Sequence, residues 1–373
     1  MSSNLQFLAD LDRLSSKAGL NFLGPVSLDV QIDYQRYEKW INAKLHADMK
    51  FMESNTTLRS DPRLLAPTSN CALVFALNYD QGDRFQPNVQ ERSKAQPRIA
   101  MYARLKDYHR YLKREIHKVL VEASQSLATP LEFRLVVDSA PVLERALAKK
   151  TPRSFIGKNT CLIHLDFGSF LLLGSALVCL PTIDLESPDA SQGSRAPLSL
   201  ARSSTLGGCG SCRRCQVMCP TNALSKDYVL DANRCLSYWT IENRGPIPEE
   251  YWPHLAEYFF GCDICQTVCP YNRPRDKDVT KDFLRLKPNN LPTPVDLFKV
   301  ATMNQQEYEF LFGGTPLTRA KRSGLIRNAL IALFSRNDER LELALLTHDN
   351  STDQTILLTT KAIRSKLSSR SHF

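Results

Sequence analysis

The chain has 373 residues, 43% of them hydrophobic, and 48 Lys and Arg against 39 Asp and Glu, for a formal net charge of +9. Such a length and apolar content exclude a disordered tail and suggest two or three domains with sizeable cores. The basic surplus argues against a small acidic electron shuttle and favours a polyanionic partner such as nucleic acid.

Residues 1–19 carry Leu5, Leu8, Leu11 and Leu14 at helical spacing, which predicts an amphipathic helix. Asp10 and Asp12 interrupt any apolar stretch there, so the N-terminus does not read as a signal peptide. Residues 71–78 (CALVFALN) form a continuous apolar run of strand length and predict a buried strand. Residues 103–127 predict a long amphipathic helix, 133–137 a second short buried strand, and 142–150 a helix entered through Pro141. Residues 161–165 and 170–180 would complete a sheet, the latter run being too short to span a bilayer. Strands alternating with helices place residues 1–185 in an α/β or α+β domain. Residues 186–205, rich in Ser, Pro and Ala, read as a linker, and 289–294 as a second breaker-rich connection. The last segment has helical patterns at 324–334, 338–346 and 352–367, in the manner of a small helical-repeat layer.

Between these connections lie most of the eleven cysteines. Cys209, Cys212, Cys215 and Cys219, followed by Pro220, form a full C-x2-C-x2-C-x3-C-P run. Cys262, Cys265 and Cys269, followed by Pro270, repeat the spacing without its first cysteine, which Cys235 can supply. A [4Fe–4S] cluster takes four thiolates, and in two-cluster ferredoxin runs the fourth cysteine of each run ligates the other cluster. The expected sets are therefore Cys209, Cys212, Cys215 and Cys269 for one cluster, and Cys219, Cys235, Cys262 and Cys265 for the other. Zinc usually takes two C-x2-C pairs, which leaves the third cysteine and the x3-C-P step without a purpose. Disulfides do not suit the reducing cytoplasm expected for a soluble chain without an export signal. Cys71, Cys161 and Cys179 read as ordinary buried residues. Arg273, Arg275, Lys277, Lys281, Arg285 and Lys287 follow the second cysteine block, and Arg319, Lys321, Arg322 and Arg327 cluster further on. Such runs are commonly solvated faces, but beside a redox site in a basic chain they are candidates for phosphate contact.

An ordered set of residues carries a resemblance. Asp138, Pro141 and Arg145 are followed by Phe155, Gly157, Lys158 and Asn159, and then by Gly168, Ser169 and Phe170. After the first cysteine block come Arg234, Cys235, Ser237 and Glu242, then Phe260, Gly261, Cys262, Asp263, Cys265 and Gln266. From near Arg59 to Asn272, and more loosely beyond, this order resembles bacterial epoxyqueuosine reductase. It is similar also to the reductive dehalogenases, which join a corrinoid-binding reductase domain to two clusters. The resemblance implies an α+β chain: a corrinoid-binding α/β reductase-like domain (1–185), a ferredoxin-like two-cluster module (206–288) and a C-terminal helical, HEAT-like segment for tRNA binding (289–373). It implies a cytoplasmic monomer that reduces epoxyqueuosine to queuosine at the wobble position of tRNA. Electrons from an external donor would pass through two [4Fe–4S] clusters to cobalamin.

Asp138 matches the family's catalytic acid, and to act near neutral pH it would need a pKa raised by burial beside corrin and substrate. From the residues alone Asp138 could equally cap the helix that follows. Arg59, Met101, Lys158, Leu162, Leu173, Ser237 and Asp263 match or flank family positions near the corrinoid or the cluster loops. Met101 opens a stretch reaching Asp107 and His109 in which Leu105 stands where a glycine is usual; Gly157 beside Lys158 would let backbone approach a cofactor. No D-x-H-x-x-G box is present, so the corrinoid would bind without that histidine donor. Arg145, Arg273, Arg275, Lys277 and Lys281 are the tRNA candidates, giving salt-dependent affinity around an unstacked wobble base. Two other readings are a corrinoid reductase of a small molecule, which would not need a charge of +9, and an electron-transfer protein without its own reaction, which would not bind cobalamin stoichiometrically.

Overall fold

The computed structural model describes residues 3–80, 97–180, 207–273 and 295–370. Its strands are β1 (Asn21–Ser27), β2 (Cys71–Asn78), β3 (Arg98–Ile99), β4 (Phe133–Val136), β5 (Ser154–Ile156), β6 (Leu162–His164), β7 (Leu171–Val178) and β8 (Tyr258–Phe260). Four of them form one sheet in the order β1-β2-β7-β4, antiparallel throughout. The unbroken apolar run of β2 follows from its central place, with every residue buried. Cys71, Leu73, Phe75 and Leu77 point into a core with the helices Ser3–Lys17 and Tyr108–Ala123. Ala72, Val74 and Ala76 point the other way, against the short helix Glu144–Ala148. An antiparallel sheet covered in this way is an α+β arrangement.

Several boundaries differ from the sequence expectation. The long helix begins only at Tyr108, because the Asp107 side chain accepts the His109 N–H at 2.8 Å and caps it. β4 is a half-buried edge strand, since only Val136 of its four residues is buried. β6 does not join the main sheet but pairs with β5 in a separate hairpin. β1 had no sequence signal, because Gly24 and Pro25 read as breakers; an irregularity between Phe22 and Gly24 and an edge position accommodate both. Leu5 is largely exposed, and Phe7 takes its place in the core. The expected connections 186–205 and 289–294 lie outside the described residues.

The cysteine-rich segment folds onto this domain. β3 pairs in parallel with β8, and the Ala232 N–H reaches the Leu45 carbonyl at 2.8 Å. Asn272 Oδ1 accepts the Ser169 N–H at 2.7 Å. That approach requires Gly168, whose φ is +71° and where an added Cβ would lie 2.0 Å from the same oxygen.

Five helices follow: Leu297–Thr302, Gln305–Phe312, Lys321–Ser335, Leu341–Leu346 and Gln354–Arg370. Every residue from Gly324 to Phe334 is buried, so the third of these is a core helix and not an exposed platform. This corrects the phosphate-contact expectation for Arg327, while Lys321 at the start of the helix is exposed. Arg327, with no exposed surface, donates to the carbonyls of Trp239, Asn243 and Gly245 at 2.7–2.9 Å and to Asn328. Arg322 donates to the Met303 carbonyl, and Arg319 to the Glu242 carboxylate. Arg327→Leu would leave several buried carbonyls without a donor, and we expect it to destabilise the fold by about 3 kcal/mol. Denaturant unfolding checks this; a change below about 0.5 kcal/mol would contradict it.

Candidate active site

Asp138 lies two residues past β4, with its backbone in the left-handed region at φ 40°. Three partners hold it. The Glu144 carboxylate accepts its N–H at 3.2 Å, while Tyr108 Oη and His109 Nε2 each lie 2.9 Å from Oδ2. The other ring nitrogen of His109 is 2.8 Å from Asp107, so the imidazole is clasped between two carboxylates. The Asp138 side chain does not cap the following helix, whose N-cap is Leu143 without a side-chain bond.

The expectation of a raised Asp138 pKa is reversed. The His109 hydrogen bond outweighs burial and holds the Asp138 carboxyl below its ordinary value, while the side chain stays 52% exposed. The same bond, against desolvation and aided by Asp107, raises His109. The carboxyl pushed up is Glu144, to about 7, by burial and by the neighbouring Asp138 charge. The shifts thus favour the proton on His109 over Asp138.

Tyr108, Asp138 and Glu144, but not His109, line a cavity of about 170 Å³. Leu162, Leu171, Leu172 and Leu173 form an apolar wall; Tyr79, Tyr108, Ser169 and Gln266 add polar atoms, and Arg145 and Cys161 complete the lining. Arg145 is exposed and donates to the Thr160 carbonyl. From the C-terminal segment Arg319 contributes positive charge to Asp138 and stacks 4.9 Å over Phe51.

The remaining anticipated residues separate. Arg59 lies outside the lining set, over the Tyr37 ring and donating to the Phe51 carbonyl. The buried Asp263 accepts the Met101 N–H at 2.6 Å and ties that segment to the second cysteine block. Lys158 is not in the cavity: its ammonium pairs with Asp227 at 3.1 Å, and its N–H points at Cys209 Sγ at 3.3 Å. The space beside Gly157 is taken by Ile163 and Asn159, so local packing requires its missing side chain. Arg273 is exposed along a different cleft, and Arg275, Lys277 and Lys281 lie outside the described residues.

The eight expected cluster thiols fall into two electrostatic neighbourhoods. Cys215 senses Cys209 and Cys212, and Cys269 senses Cys209 and Cys215. Cys235 senses Cys219, Cys262 senses both, and Cys265 senses Cys262 and Cys235. Backbone N–H groups point at the sulfurs, from Lys158 to Cys209 and from Ala223 to Cys219, each at 3.3 Å. Ser237 adds backbone and side-chain bonds to Cys235. Among the described residues no three His, Cys, Asp or Glu side chains are arranged to hold a single ion. Two sets of four thiols with N–H donors suit cubane clusters, which are ligated at separated corners.

Sequence reasoning passed over four residues here. Cys161 is no ordinary buried cysteine: it is half-buried and lines the cavity, and its N–H donates to the Asn159 side chain, whose amide donates to the Cys265 carbonyl at 3.1 Å, so this turn links Asp138's cavity to the second cysteine block. Cys179 is exposed, and only Cys71 matches the buried expectation. Tyr108 and Glu144 carried no motif of their own, and His109 was marked only by its stretch.

No helix among the described residues is long and apolar enough to cross a membrane. Residues 208–272 match a family described as 4Fe-4S double cluster binding domain, and residues 59–139 one described as Epoxyqueuosine reductase QueG, DUF1730. The chain is 30% identical to an epoxyqueuosine reductase of Escherichia coli strain K12, over 87% of this chain and 82% of the relative. It is 33% identical to one of Pseudomonas aeruginosa, over 79% of this chain and 76% of the relative. Its fold is similar, with a TM-score of 0.74 over 94% of this chain and 87% of the other at 22% identity, to a crystal structure of epoxyqueuosine reductase with a tRNA-Tyr epoxyqueuosine-modified tRNA stem loop.

Proposed function

Because this chain belongs to the epoxyqueuosine reductase family of oxidoreductases, we propose that it reduces the epoxide of epoxyqueuosine at the wobble position of tRNA. The reaction consumes two electrons and two protons, opens both C–O bonds to leave an alkene, and releases the oxygen as water. The observation that carries this reading is Gln266, which follows Cys265 in the chain and lines the cavity that holds Asp138, while the Asn159 amide donates to the Cys265 carbonyl at 3.1 Å. An electron source and a proton source thus meet at one small site.

The two thiol sets would each hold a [4Fe–4S] cluster, assigned as Cys209, Cys212, Cys215 and Cys269, and as Cys219, Cys235, Cys262 and Cys265. Cobalamin would rest its corrin on the wall of Leu162 and Leu173. His109 is engaged by two carboxylates, consistent with a corrinoid bound without a protein histidine. When bound, the cobalt would supply the low-potential reducing chemistry that cleaves the C–O bond.

The chain's own part is proton delivery and orientation. As negative charge grows on the epoxide oxygen, Asp138, ionised at rest beside His109, takes the His109 proton across their 2.9 Å bond and passes it to that oxygen. Tyr108 and Glu144 hold the Asp138 carboxylate and backbone in place. Arg145, at the mouth, would meet the RNA. Domain limits of 1–185, 206–288 and 289–373 go with this division of labour, the last as a helical, HEAT-like layer.

Because His109 is raised, its acid form, and the stabilisation from its pairing, are complete below the ordinary histidine pKa and are lost as pH rises through the raised value. We expect the single-turnover rate to fall on that alkaline limb, and His109→Asn to move the limb to lower pH. A pH–rate profile with the same limb in the variant would contradict the relay. Conversion of epoxyqueuosine in a tRNA stem loop by the reduced, cluster- and cobalamin-loaded protein tests the function itself.

A further inference from the structure

A second cleft, of about 590 Å³, opens on the side of the first thiol set. Cys269 lines it, and so do Arg213, Arg214 and Arg273, all exposed, around an apolar floor that includes Val217 and Met218. Val217 is 78% exposed, the second most exposed large apolar side chain among the described residues. None of the three arginines is ion-paired with a described residue. Asp227, the carboxylate that senses Arg213, is already bound to Lys158 at 3.1 Å. The cleft shares no lining residue with the Asp138 cavity, which adjoins the second cysteine block through Gln266.

Resting on the two-cluster reading above, we propose that this cleft is where an acidic, low-potential one-electron carrier protein docks to load the first cluster. Electron transfer falls off steeply with distance, so a carrier needs an exposed edge of a cluster away from the substrate. Cys269, buried but lining the cleft, brings the first thiol set to that surface. Exposed arginines without a carboxylate partner among the described residues (Arg213 donates only to the Gln216 side chain, at 3.1 Å), set around an exposed aliphatic side chain, are the pattern of a charge-steered protein contact, with an apolar centre and a charged rim. An RNA phosphate surface would use the arginines but not Val217. Each encounter oxidises the carrier by one electron and takes the cluster from its 2+ to its 1+ state. Two encounters supply the two electrons that, with two protons, turn the epoxide into alkene and water.

The test uses the full chain with both clusters, mixed anaerobically with flavodoxin hydroquinone as the probe, and follows cluster bleaching by stopped flow. The expected second-order rate constant falls as salt rises. Arg213→Glu with Arg214→Glu should lower it by about tenfold at low salt and flatten the salt dependence. Photoreduction through a neutral deazaflavin should proceed at the unaltered rate. Arg273→Glu, outside the cysteine run, should give a smaller loss in the same direction and serves if the double variant binds less iron. Unchanged flavodoxin rates in these variants would overturn the proposal. So would a loss confined to tRNA stem-loop affinity, which would make the cleft an RNA surface. Iron content and absorbance, read before mixing, keep this result separate from the parent reading: a chain that assembles no clusters overturns the two-cluster reading instead.

Discussion

Asp138→Asn is expected to lower single-turnover conversion of epoxyqueuosine by about 10²- to 10⁴-fold, the range that general acids contribute. The substitution keeps size and polarity, and its amide oxygen can still accept from Tyr108 and His109 as Oδ2 does at 2.9 Å. The Glu144 bond to the backbone N–H is also preserved. What is lost is the ability to carry a proton from His109 to the leaving oxygen. Iron content, cobalamin binding and thermal stability should therefore stay close to those of the parent while the rate collapses. A rate within threefold of the parent would assign Asp138 a purely structural part. A loss of cofactors together with the rate would point to folding.

Cys235→Ala is expected to reduce bound iron from about eight to about four per chain, because one of two four-iron clusters loses a ligand. It should also remove one of two paramagnetic signals on reduction and abolish conversion. Cys235 is the informative cysteine because it belongs to neither spaced block. The structure sets its sulfur near Cys219 and Cys262 and directs the backbone N–H groups of Ser237 and Tyr238 at it. Burial raises the free thiol's pKa, so cluster assembly there must release a proton. Unchanged iron and both signals in the variant would remove Cys235 from the ligand set. The same substitution at Cys71, buried in β2 away from both sets, should leave iron content as it is.

What could be read from the sequence was what local chemistry dictates. β2 announced itself because a strand covered on both faces must be apolar at every position. The cysteine spacing announced two clusters because a cubane needs thiolates at short, fixed intervals. Other features are set by distant partners and leave no local trace. His109 and Asp138 stand 29 positions apart, and only their bond reveals that the histidine, not burial, sets the state of the carboxyl. Arg327 looked like part of a basic surface run, yet its guanidinium is consumed by carbonyls more than 80 residues earlier in the chain. Cys161 lay in a short apolar run, and its place in the cavity wall is tied by Asn159 to the Cys265 carbonyl, more than 100 residues later. β1 was hidden by Gly24 and Pro25, which an edge strand with a bulge tolerates and a central strand would not.

The most direct measurement of the central claim is mass spectrometry of nucleosides from tRNA carrying epoxyqueuosine. The tRNA is treated anaerobically with the reduced chain bearing both clusters and cobalamin. The account predicts a nucleoside lacking one oxygen, formed only when clusters, cobalamin and Asp138 are all present. Recovery of intact epoxyqueuosine from the fully loaded protein, under conditions in which an established relative converts it, would contradict the account.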